Sequence, residues 1–250
     1  MAKSSAASSA PPLILIHGAL GAAEQLSSLH EALVAQRAAA GLSETQAPIL
    51  IHELAGHGQT PARKADGLHI EAMAEDLAAL LDERSWSGVD VFGYSMGGYV
   101  ALHLANAQPE RIGRILTLGT KLAWDPTTAA RETKLLDPDT IQAKVPTFAE
   151  TLAKRHGEAR WSALCHETAA LLRDLGDRPL LDAAAFARIE QPVCIGVGDR
   201  DGTVSIEECL AAYRALPHGA LAVLPRTPHP LDRVPTHELV ALITGVLEQG

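Results

Sequence analysis

Apolar residues follow two rhythms along this chain. Short, nearly unbroken runs rich in β-branched residues occupy positions 13–16, 49–51, 89–92, 112–118, 193–197 and 221–224. Runs of this length and composition predict strands buried on both faces of a parallel sheet. Between the second and third runs, Ile70, Met73, Ala74, Leu77, Leu80 and Leu81 recur at helical spacing on one stripe. Ser205 followed three residues later by Glu208 reads as a capping box opening a helix after the fifth run. Positions 235–247 carry Leu239, Val240, Leu242, Ile243, Val246 and Leu247, again helical in period. Strand–helix alternation of this kind predicts an α/β fold, a mostly parallel twisted sheet flanked by helices and joined by right-handed crossovers.

One interval departs from the alternation. Positions 124–189 contain no convincing strand, and segments 148–156, 158–175 and 180–189 are helical in period. Pro126, Pro138, Pro146 and Pro179 punctuate the interval. The strand pattern resumes at Val193, so the expectation is a helical cap insertion (124–189) within one core made of residues 13–123 and 190–250. Positions 1–12, MAKSSAASSAPP, are small and polar with one lysine, and are expected to be a flexible N-terminal tail. They lack the apolar stretch of a secretory signal, which makes the cytoplasm the default location.

Composition narrows the function classes. Thirty acidic against twenty-one basic residues give a net charge of −9, which disfavours nucleic acid and anionic membrane surfaces as partners. Hydrophobic residues make up 47% of the chain, too many for a disordered one. No window approaches the roughly 18 apolar residues of a membrane span. Cys165, Cys194 and Cys209 show neither a disulfide framework nor zinc-ligand spacing, and Cys194 reads as a small core residue. No phosphate-binding or dinucleotide-binding glycine motif is present, so no metal and no cofactor are expected.

The most specific chemistry lies at Gly93-Tyr94-Ser95-Met96-Gly97, a G-x-S-x-G sequence between the run 89–92 and the helical segment 98–107. At a strand-to-helix junction this motif lifts the serine onto a strained turn, where side chains at the flanking glycine positions would collide. The helix N-terminus beneath offers backbone N–H groups to an oxyanion. A serine hydroxyl also needs a base to take its proton and an acid to orient that base.

Leu15-Ile16-His17-Gly18, Gly56-His57-Gly58, the GYSMGG elbow, an acid after the fifth run and a histidine after the sixth form an ordered set. With it, the chain resembles the α/β-hydrolase superfamily over nearly its whole length after the tail. The resemblance implies a serine hydrolase, most simply a carboxylesterase acting on a small ester through an acyl-enzyme. A same-fold carbon–carbon bond hydrolase or lyase, or a non-catalytic small-molecule receptor, is the alternative. In either case the partner is a small molecule.

In open parallel sheets the chemistry gathers beyond the carboxyl ends of the strands. Of eleven histidines, His229 follows the last strand at that edge. His218 precedes the same strand, His237 and His103 fall within helices, and His17 and His57 come early, where family members use them for loop structure. The acid is Asp201 by resemblance to family members with G-x-x-D after this strand. Asp199 is the neighbouring candidate, with a bracing role as its other reading, and Asp125 a third that also reads as a turn residue. The resemblance assigns the oxyanion hole to the N–H groups of Ala19 and Met96. Tyr94, Trp124 and Trp161 are candidate pocket residues, and Phe148 joins the two tryptophans as a possible apolar lid wall. Arg155-His156 and His166-Glu167 are expected on solvated helix faces, and His69 and Glu71 are expected to be exposed.

Overall fold

The computed structural model describes residues 10–62 and 67–248. Six strands, β1 (Leu13–Ile16), β2 (Ile49–His52), β3 (Val89–Tyr94), β4 (Ile112–Leu118), β5 (Val193–Gly198) and β6 (Gly219–Leu224), form one sheet. Its order is β2-β1-β3-β4-β5-β6 and every pairing is parallel. All six correspond to runs that the hydrophobic pattern predicts. Burial on both faces holds fully for β1, β3 and β5, whereas β2 and β6 are edge strands with partial exposure, and Val223 is largely solvated. The chain leaves β1 toward β2 on one side and later places β3 on the other. Strand order therefore reverses between β1 and β3, the crevice where open α/β sheets bind ligands.

Alternation along the strands divides the core in two. Ile14, Ile16, Val91, Ile115 and Ile195 face one layer, while Leu13, Leu15, Phe92, Leu116 and Cys194 face the other. The second layer is covered by α1 (Ser27–Ala39), through Leu29 and Leu33, and by the C-terminal helix. The first is covered by α2 (Ile70–Arg84) and α3 (Met96–Ala107). Met73, Leu77 and Leu81 of α2 are buried as the stripe predicts, each contributing roughly 1.5–3 kcal/mol of transfer free energy.

Between β4 and β5 the chain is helical: α4 (Pro126–Thr133), α5 (Pro138–Lys144), α6 (Pro146–His156), α7 (Trp161–Asp177) and the single turn α8 (Ala183–Phe186). Three of the prolines that punctuate the sequence start helices, occupying the first positions of α4, α5 and α6. Their fixed φ and missing N–H suit that position. Asp125, Asp137 and Asp182 cap α4, α5 and α8, each accepting an amide N–H three residues on. The expected helix over 180–189 is thus only one turn long, and periodicity does not mark α4 and α5. Helix α9 (Ile206–Ala215) opens on the capping box of Ser205 and Glu208, and α10 (Thr236–Leu247) closes the chain.

Of the expected tail, positions 1–9 lie outside the described residues. Ala10 donates its N–H to the Gln46 carbonyl, and Pro12 accepts from the Asp90 N–H. Among the described residues no helix is long and apolar enough to cross a membrane.

Candidate active site

The turn between β3 and α3 is strained in the way its glycines foretell. Ser95 sits at φ +51°, ψ −119°, outside the regions open to an ordinary L-residue. A Cβ on Gly93 would lie 2.4 Å from the Gly98 Cα, and one on Gly97 would lie 2.6 Å from the carbonyl oxygens of Ile16 and His17. Only glycine fits at either place, and both contacts are with backbone that has nowhere to retreat. The turn is tied down on its far side by the Ser95 N–H to Leu118 carbonyl bond (2.8 Å) and by the Thr120 hydroxyl, which donates to the Ser95 carbonyl (2.9 Å).

Three side chains from three strand ends meet at this turn. Ser95 Oγ lies 3.4 Å from His229 Nε2. The other ring nitrogen, Nδ1, lies 2.8 Å from Asp201 Oδ2, so its proton is donated to the carboxylate. Asp201 Oδ1 accepts the N–H groups of Thr203 and Val204, both at 2.8 Å. Burial alone would raise the Asp201 pKa. The hydrogen bond and charge of His229 and the two amides outweigh it and hold the carboxyl below its ordinary value. The Tyr94 hydroxyl donates to the His229 carbonyl (2.9 Å), and its ring lies beside the imidazole. Both of these contacts limit the freedom of His229.

The competing acids have other partners. Asp199 accepts the Thr227 N–H at 3.2 Å, bracing the loop that follows β6. Asp125 is the N-cap of α4. His17 and His57 are buried at the rim, His17 with both ring nitrogens paired and His57 with one. His17 donates through Nδ1 to the Gly18 carbonyl and accepts the Leu54 N–H at Nε2, while His57 Nδ1 contacts the Ala55 carbonyl. Burial lowers their pKa values to about 4 and about 3, so both are neutral near pH 7.

The segment 17–21 after β1 crosses directly over the turn: a Cβ on Gly18 would lie 2.9 Å from the Ser95 Cβ. Leu20 in this segment has φ +55°, and its carbonyl accepts two donors from α6, Arg155 Nη1 (2.9 Å) and His156 Nε2 (3.0 Å). His156 Nδ1 accepts the Gly58 N–H, and Arg155 also pairs with Glu24. The solvated face expected for Arg155 and His156 is therefore turned inward, because two loops with unsatisfied backbone groups pack against it. His69 and Glu71 are likewise half-buried rather than exposed, with Glu71 paired to Arg178.

A cavity of about 940 Å³ opens above Ser95 and His229. Ala19, Met96, Tyr94 and Trp124 border it, and α6 and α7 form its outer wall. Trp161, expected at the pocket, is absent from this lining. It starts α7 with its ring packed into the core, since the cavity side of that helix is occupied by Thr168, Leu171, Leu172 and Leu175. The period over 158–175 marks this helix but not its pocket role, because spacing of i, i+3, i+4, i+7 looks the same whether it faces core or cavity.

Comparisons with known proteins agree with this architecture. Lipase LipV of Mycobacterium tuberculosis is 41% identical over 78 residues, 31% of this chain and 29% of LipV. The pimeloyl-[acyl-carrier protein] methyl ester esterase of Aromatoleum aromaticum is 32% identical over 67% of this chain and 66% of the esterase. The chain thus spans less than two thirds of the length of either relative. A putative lipase from Acinetobacter baumannii AYE shares the fold at a TM-score of 0.75 and 18% identity, over 96% of this chain and 84% of that one. The sequence profile of the alpha/beta hydrolase fold matches residues 11–193, and with the strand order and the elbow this establishes that the chain belongs to the α/β hydrolase fold family.

Proposed function

We propose that this protein is a serine hydrolase that cleaves a small carboxylic ester through an acyl-enzyme. The observation that carries the reading is the continuous line from Ser95 Oγ through His229 to Asp201 at the floor of the cavity. Ser95 Oγ bonds to the ester carbonyl carbon while its proton passes to His229 Nε2 and the carbonyl electron pair moves onto oxygen. Asp201 holds the Nδ1 proton, which leaves Nε2 as the basic nitrogen, and it stabilises the imidazolium that forms. The N–H groups of Ala19 and Met96 receive the oxyanion. Met96 begins α3, where first-turn amides lack intrahelical acceptors, and Ala19 follows the glycine packed against Ser95. Collapse expels the alcohol, which takes its proton from His229. Water then attacks the acyl-Ser95 carbonyl as His229 removes its proton, and the acid leaves as Ser95 regains a hydrogen. Every step draws only on protein groups and water.

In the same reading residues 124–189 act as a cap that shapes substrate access, with Trp124 and Tyr94 in the pocket wall. Relatives named as a lipase and as a methyl ester esterase accord with ester chemistry. Intact-mass measurement after brief exposure to a p-nitrophenyl ester should find an acyl group on Ser95. Ser95→Ala should abolish that adduct and lower kcat on the order of 10⁴–10⁶-fold with the fold retained. Near-native turnover by the variant would remove Ser95 from the mechanism. Turnover without any adduct would favour the alternative in which His229 acts directly on the substrate as in lyases.

A further inference from the structure

The cavity is larger and more apolar than a short ester requires. At about 940 Å³ it stands at the upper end of the range for sites that enclose a drug-sized ligand. An acetyl or propionyl group on Ser95 would leave most of it unfilled and most of its wall without dispersion partners. Its wall includes one face of α7, through Thr168, Leu171, Leu172 and Leu175, together with Phe148 and Thr151 of α6. Of the charged side chains on its border, Arg155 pairs with Glu24, Lys121 with Glu208 and Glu132 with Arg131, Asp232 and Arg233 are exposed to solvent just after His229, and none belongs to the α7 face.

Part of the same lining is open to solvent. Leu135, Val145 and Phe148 border the cavity and are 67%, 49% and 38% exposed, three of the five large apolar side chains that the described fold leaves most exposed. Solitary exposed leucines are ordinary, but three exposed apolar side chains bordering one cavity mark a place for apolar matter to lie.

We infer that the acyl half of the substrate is an unbranched apolar chain of medium length. It runs from Ser95 between α6 and α7 and ends against Leu135, Val145 and Phe148. The inference rests on the hydrolase reading for its chemistry, but the chain site itself is a matter of binding. The carbonyl sits at Ser95 and the chain covers the mouth, so each added methylene removes further wall from water until the mouth is reached.

The test measures kcat/KM for p-nitrophenyl acetate, butyrate, octanoate and decanoate below their micellar concentrations. The expected gain is about two- to fourfold per methylene up to octanoate, as burial of each CH₂ predicts. Leu172→Trp, which fills the channel, and Phe148→Asp, at its exposed end, should each lower the octanoate-to-acetate ratio at least tenfold. Ratios are insensitive to the folded fraction, and the surface position of Phe148 guards against a variant that fails to fold. In parallel, Ser95→Ala is titrated with the fluorescent fatty acid cis-parinaric acid and competed with octanoic and butyric acids. Displacement by octanoic but not butyric acid is expected. Ser95-dependent hydrolysis that is flat or falling beyond butyrate would overturn the chain site and leave the hydrolase standing. Selective fatty-acid binding without turnover or labelling of Ser95 by a fluorophosphonate would do the reverse. Absence of both the slope and the displacement would overturn the chain site outright.

Discussion

Replacing the Asp201 carboxylate by an amide tests how the site chooses a tautomer. Oδ1 accepts the N–H groups of Thr203 and Val204, so in Asp201→Asn the amide oxygen would stay there and the NH₂ would turn to His229. His229 Nδ1 would then have to accept, placing its proton on Nε2, where a base is needed. A loss of kcat on the order of 10⁴ with little change in KM is expected from steady-state kinetics. Asp199→Asn keeps an acceptor for the Thr227 N–H and should stay within a few-fold of the parent enzyme. Equal losses in the two variants would mean that the pairing with His229 is not what matters. The sequence distinguished these aspartates only through resemblance, because both follow β5 and both could reach the sheet edge. What separates them is which one has two amides behind it, a property of the loop 199–204 that no local pattern encodes. Ser95 was easier, since the need for glycine at 93 and 97 is written in the motif itself.

Helix α6 shows how an element can be legible while its role is not. Its period is plain in the sequence and Pro146 marks its start, yet Arg155 and His156 at its end look like a solvated terminus. They instead hold the Leu20 carbonyl, and through Gly58 they join α6 to the loop after β2. His156→Ala leaves the Gly58 N–H without its acceptor in a partly buried setting, which costs about 1 kcal/mol. A fall in melting temperature of several degrees is expected by calorimetry. Because Leu20 adjoins the proposed oxyanion donor Ala19, kcat should fall with KM nearly unchanged. An unaltered kcat alongside the lower melting temperature would confine His156 to a purely structural role. The sheet, by contrast, was readable strand by strand, since buried parallel strands need unbroken apolar runs. Edge position was not, because the exposure of β2 and β6 depends on strand order.

At the scale of the molecule, acidification should act through the buried imidazoles. His17 and His57 ordinarily take a proton near pH 6.5, but in the folded protein they do so only at about 4 and about 3. Between those limits the unfolded chain binds more protons than the folded one, so stability is lost as pH falls from about 6.5 toward about 4. Each histidine contributes a loss of about 2 kcal/mol between pH 7.5 and pH 5 by this linkage. Asp201, with its lowered pKa, adds to the loss only in the carboxylate range below that. Urea denaturation at the two pH values measures the difference, and equal midpoints would show that the pair does not stay neutral. The helices between β4 and β5 leave from one strand and return on its immediate neighbour, with Leu118 paired to Gly196 in register. Such a segment can grow, shrink or be exchanged for another without sliding any strand past the next. Exchanging positions 124–189 for a foreign insert that restores the contacts of Arg155 and His156 with the Leu20 carbonyl should therefore change selectivity while Ser95, Asp201 and His229 keep their places.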